Sequence, residues 1–88
     1  MLAKTKTGFQ CEIDDNATDD WETLELLAKA DDGNISALIG AIVRILGEDG
    51  YSKLKEHVRS LSSNGKVSTV KMRAEFTALM ESAAPTKN

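Results

Sequence analysis

The sequence predicts a mainly α domain, four helices with a short N-terminal β-hairpin. Three observations predict it. From Trp21 onward apolar residues recur at helical spacing. Asp19, Asn34 and Ser68 stand where apolar runs begin, and Gly33, Gly47 and Gly65 where they end. Before these runs, Phe9, Cys11 and Ile13 alternate with Gln10, Glu12 and Asp14, the period of a half-buried strand.

The strand pairs with Leu2–Lys6 through a turn at Thr7-Gly8, giving a hairpin over 1–14. A two-stranded hairpin is marginal alone, so its apolar face is expected to lie on the helices. The first helix spans 19–32, with Asp19 as N-cap and Glu22 completing a capping box. Trp21, Leu24, Leu27 and Ala28 fall on one face and are its expected packing stripe; Leu26 points away from them. Leu26 is therefore the candidate partner-binding residue, the alternative being that the hairpin covers it.

The second helix spans 35–46 behind Asn34 and is expected to be central. Its apolar residues cover an arc of about 160°. The opposite face carries Ser36, Ala37, Gly40 and Ala41, small enough for another helix to approach closely. The third helix, 49–62, has the stripe Tyr51, Leu54, Val58 and Leu61. The fourth, 69–83, starts at Ser68, with Val67 and Met72 spaced as a hydrophobic staple. Phe9, Ile39, Ile42, Leu54, Val58, Phe76 and Leu79 are expected to share one core. One domain, 1–84, accounts for the whole pattern, with 85–88 a frayed tail after Pro85.

A chain of 88 residues has a thin core, and self-association is a natural way to bury more surface. Net charge is −3 but uneven. Residues 1–33 hold three Lys against nine Asp and Glu, a net of −6; residues 34–88 hold eight Lys and Arg against five Asp and Glu, a net of +3. An acidic end meeting a basic end of a second copy is one reading; differently solvated faces is the other. The lone Cys11 forms no internal disulfide, and Met1–Gln10 carries no apolar segment of the kind a secretory signal needs. No apolar run approaches the ~20 residues of a membrane span.

Catalytic, cofactor and metal sites are not expected. Asp14, Asn16, Thr18, Asp20 and Glu25 fall at the ligand positions of a calcium loop, yet Asp19 stands where that loop needs glycine, and no helix precedes it. His57, the only histidine, lies at the edge of the Leu54–Leu61 stripe and reads as a boundary residue. Cys11 is on the buried face of its strand, where a thiol is inert. Pairing it with His57 as a nucleophile lacks an orienting third group and an oxyanion loop. Lys53, Lys55, Arg59, Lys66, Lys71 and Arg73 on the last two helices make a helix-turn-helix DNA-binding regulator the alternative function. Against it stand a pI near 5.0 and the lack of an Asn/Gln/Arg cluster to read base edges.

The order of signals along the chain carries a resemblance. Lys6-Thr7-Gly8-Phe9, Glu12-Ile13-Asp14 and Asp19-Asp20-Trp21-Glu22 come first, the last opening a leucine-rich helix. Leu46-Gly47-Glu48, the segment Tyr51–Arg59, Gly65-Lys66-Val67-Ser68 and Glu75–Met80 follow. Together they resemble the small tail-assembly chaperones of long-tailed, siphovirus-like phages and prophages. The resemblance implies a mostly helical, non-enzymatic protein of the host cytoplasm, absent from the mature virion. It implies association with the tape-measure protein and the tail-tube protein, and frequent homo-oligomerisation. It implies no nucleic-acid or membrane partner, and it carries over no binding residue.

Overall fold

The computed structural model describes residues 1–83. Its elements are β1 (Leu2–Lys4), β2 (Gln10–Glu12), α1 (Trp21–Asp31), α2 (Ile35–Ser60) and α3 (Thr69–Ala83). The expected tail, 85–88, lies outside the described residues. Among those described, no helix is long and apolar enough to cross a membrane.

Among the described residues there are three helices, not four. The segments expected as separate helices, 35–46 and 49–62, form one element that ends at Ser60 and bends at Gly47. Gly47 has φ 79° and ψ 166°, a region essentially confined to glycine. Helical geometry therefore does break at the expected stop, and two helical parts join across Gly47 within the one element. We call the parts before and after Gly47 the first and second limbs of α2.

The hairpin is antiparallel, with Ala3 opposite Cys11, and its strands are shorter than expected. Past Lys4 the chain turns, with the Thr5 N–H donating to the Phe9 carbonyl at 2.8 Å. Ala3, Phe9 and Ile13 are buried and Cys11 is half-buried, while Gln10 and Glu12 face solvent. The buried side joins Ile42, Ile45, Leu54, Val58, Phe76 and Leu79 in one core. β1 lies mainly against α3, and β2 also touches α2. Ile39, expected in this core, is 41% exposed. It lies on the side of the first limb that lines an open groove with the second limb and the start of α3.

The N-cap of α1 is Asp20, not Asp19. The Asp19 N–H closes the preceding turn on the Asn16 carbonyl at 3.0 Å, whereas Asp20 is extended and accepts from the Glu22 N–H at 3.2 Å. Asn34 caps α2, accepting from the Ala37 N–H at 3.0 Å. Ser68 accepts from the Lys71 N–H at 3.2 Å at the head of α3.

α1 packs on α2, and it does so with the face opposite to the expected one. Thr23 and Ala30 are buried, and Leu26 and Leu27 half-buried, a spacing of three, four and seven residues along one side. Of the expected stripe only Leu27 turns inward; Trp21, Leu24 and Ala28 face solvent. The receiving surface decides this. α2 offers its small-residue side, with Ala37 and Ala41 buried and Gly40 beneath Leu26. A shallow surface of that kind lets the backbones approach and takes Leu26 and Thr23 more readily than an indole.

Candidate functional site

One polar group joins the hairpin turn to two helices. The Thr7 hydroxyl in the hairpin turn lies 2.8 Å from Glu75 Oε1 on α3 and 2.8 Å from His57 Nε2 on α2. The Glu75 side chain is only 9% exposed and that of His57 18%. A hydroxyl has one proton, and a carboxylate only accepts. Thr7 therefore donates to Glu75 and accepts from the Nε2–H of His57. The Phe9 ring packs on the imidazole with centroids 5.4 Å apart. A nucleophile triad places the imidazole between hydroxyl and carboxylate; here the hydroxyl is in the middle. The three groups bolt the hairpin turn to both helices, and His57 is the boundary residue its stripe position implies.

The other chemically suggestive residues are also engaged locally. Cys11 is half-buried, and burial pushes its thiol pKa up, away from the nucleophilic form. Asp14 Oδ1 accepts from the Asn16 N–H at 2.9 Å, and Asp20 Oδ2 accepts from Thr23 Oγ1 at 2.7 Å and Arg44 Nη2 at 2.5 Å. The Arg44 guanidinium, followed by the Thr23 hydroxyl, holds the Asp20 carboxyl pKa below its ordinary value. Among the described residues no three His, Cys, Asp or Glu side chains group as a metal site.

The basic residues of the second limb and α3 are partly committed. Lys53 pairs with Asp49 at 3.1 Å, Arg59 pairs with Glu56, and Lys71 Nζ donates to the Leu61 carbonyl at 2.8 Å. Lys55 Nζ stands 4.5 Å above the Tyr51 ring.

Among the described residues, exposed apolar surface includes three places besides Leu2 and Val70, the latter 76% exposed on α3. The outward side of α1 presents Trp21, 75% exposed, and Leu24, 44% exposed. A groove of about 210 Å³ lies between the two limbs of α2 and the start of α3, floored by Ile39, Ile42, Tyr51 and Met72 and edged by Lys55 and Arg73. A larger cleft of about 720 Å³ lies between the loop after β2, α1 and α3. Ile13, Ala17, Leu27, Phe76 and Met80 line it, with Asp14, Asp15, Asp31 and Glu81 around them.

Leu26, the candidate contact residue, belongs to none of these. It is half-buried, with its methyl groups toward Gly40 of α2. Trp21 and Leu24, expected on the packing face, stand exposed. Comparison with protein-family models, with curated proteins and with solved structures finds no match.

Proposed function

We propose that this protein is a tail-assembly chaperone of a long-tailed phage or prophage. It acts without a catalytic step, covering apolar segments of the tape-measure protein and bringing tail-tube subunits to them in the host cytoplasm. The order of motifs along the chain supports this reading. The structural observation that carries it is the cleft between α1, α3 and the loop after β2. Its volume of about 720 Å³, its floor of Ile13, Leu27, Phe76 and Met80 and its acidic edge fit one class of occupant. That occupant is an amphipathic helix with an apolar stripe and Lys or Arg beside it, bound as a helix in a groove. A tape-measure protein before tube closure exposes apolar helical stripes of this kind and needs them covered.

Co-purification with fragments of the tape-measure protein from the same genome tests the proposal. Wild type is expected to retain a fragment with an apolar, basic-flanked helix. Thr77→Lys, which adds a positive charge at an exposed residue lining the cleft, is expected to release it while far-UV circular dichroism stays unchanged. Absence of any tape-measure or tail-tube fragment would overturn the reading. Salt-dependent retention of duplex DNA in its place would install the DNA-binding regulator.

A further inference from the structure

We propose that Trp21 of one copy seats in the groove between the two limbs of α2 and α3 of a second copy, joining copies head to tail. The inference uses surfaces apart from the client cleft and stands independently of it.

Trp21 is the only tryptophan of the chain. It stands outside the core and is 75% exposed. With Leu24 and Ala28 it forms a stripe at spacings of three and seven residues, the pattern of a helix face that meets a partner. Buried tryptophans at the centre of a contact carry a large share of its binding energy. The groove, at about 210 Å³, is sized for one large side chain, and its wall includes the exposed residues Ile35 and Ile39. Each surface is what the other lacks.

Charge selects the same pairing. Trp21 stands among Asp19, Glu22 and Glu25, all exposed. The groove is edged by Lys55 and Arg73. Three of the nine acidic residues of 1–33 thus flank Trp21, and the two charged residues that line the groove are both basic. Complementary potentials of this kind fix orientation and exclude like-to-like docking.

The chain cannot satisfy its own groove. α1 sits on the side of α2 that carries Ala37, Gly40 and Ala41, whereas Ile35, Leu38, Ile39 and Ile42 face the groove. At about 100° per residue these two sides of the first limb are roughly 160° apart. Trp21 also points away from α2 on the far side of α1. A second copy must supply the side chain. Because knob and groove are different surfaces, the contact is heterologous and propagates into a ring or an open chain.

Tryptophan emission and light scattering across a concentration series read the contact directly. Wild type is expected to shift its emission to the blue as mass rises above 9.5 kDa, and added salt is expected to reverse both. Trp21→Ala and Ile39→Glu, each at an exposed position, are expected to be folded monomers. Mixed together they are expected to form a one-to-one dimer, in which the intact Trp21 of one fills the intact groove of the other. That dimer fluoresces blue-shifted and grows no further. Wild type that stays monomeric with solvent-like emission overturns the proposal, as do variants that assemble normally or a mixture that stays monomeric. Trp21→Ala is expected to keep its hold on a cleft client. Loss of assembly and loss of client binding are therefore separate results.

Discussion

Leu26 and Gly40 meet where α1 crosses α2: a β-carbon built on Gly40 would lie 3.5 Å from Leu26 Cδ1 and 3.6 Å from Cδ2. Those are ordinary van der Waals distances, so the site has room for a methyl group and for little more. Gly40→Ala is expected to stabilise the fold by about 0.5–1 kcal/mol, the usual gain over glycine inside a helix. Gly40→Leu is expected to force the helices apart at a cost of about 1–3 kcal/mol. Thermal melts of the two variants should move in opposite directions. Leu26→Asp is expected to lower the melting point of the monomer itself, which a residue serving only as a partner contact would not do.

Two further glycines of the same helix behave differently. A β-carbon on Gly47 would meet nothing within 4 Å, but the backbone there has φ 79°. Gly47→Ala is expected to cost about 1–3 kcal/mol from backbone strain alone. At Gly50 the backbone is helical, and the obstacle is Leu46 Cβ, 2.9 Å from the new carbon, with Cys11 Sγ at 3.4 Å. Gly50→Ala is expected to cost about 1–3 kcal/mol by overpacking. Pairing each change with Cys11→Ala separates the causes in denaturant titrations. Partial relief is expected for Gly50→Ala, because the Cys11 Sγ contact goes while the closer Leu46 Cβ contact stays, and none for Gly47→Ala.

Much of this fold is legible in the sequence because the signals are local. The caps at Asn34 and Ser68, the alternation of Phe9, Cys11 and Ile13, and the small side Ala37-Gly40-Ala41 each act within a few residues. The facing of α1 is not local. Trp21-Leu24-Ala28 and Thr23-Leu26-Ala30 are both helical stripes, and the first is the more apolar. Only the shape of α2 opposite determines which turns inward. Gly47 breaks the helix where its position implies, but that helical structure resumes at once on its far side depends on packing beyond the local signal. Glu75 was missed although a signal exists. It lies about 40° from Leu79 around α3, at the edge of the apolar stripe, but its partners Thr7 and His57 come from distant sequence.

The Thr7–Glu75 bond is expected to matter more than its single hydroxyl suggests. Glu75 is buried, and removing its donor leaves a carboxylate with a lost partner. Thr7→Val, nearly isosteric, is expected to destabilise by about 1–3 kcal/mol, the cost of an unsatisfied buried group. Thr7→Ser keeps the hydroxyl and is expected to recover most of it. Urea titrations of the three proteins measure both differences. Equal stability of Thr7→Val and wild type would mean that the hairpin turn is held by Phe9 and Ala3 alone.

The ion pair at the head of α1 gives a pH dependence whose sign is fixed. Asp20 accepts from Arg44 Nη2 at 2.5 Å and Arg44 Nε at 3.1 Å, and these bonds lead the lowering of its pKa in the folded protein. A carboxyl whose folded pKa lies below its unfolded value binds fewer protons folded than unfolded. Its contribution is therefore complete above the unfolded pKa and is lost as pH falls through the folded one. Asp20→Asn keeps a side-chain oxygen for the Glu22 N–H and so retains the cap, while losing the charge that Arg44 meets. At neutral pH and low salt the variant is expected to melt below wild type. The gap is expected to close when the pH falls beneath the ordinary carboxylate range, and to narrow at neutral pH as salt is added, because both partners are solvent-accessible. Melting points of the pair across an acid series provide the measurement. A gap that persists in strong acid would assign the effect to the cap and not to Arg44.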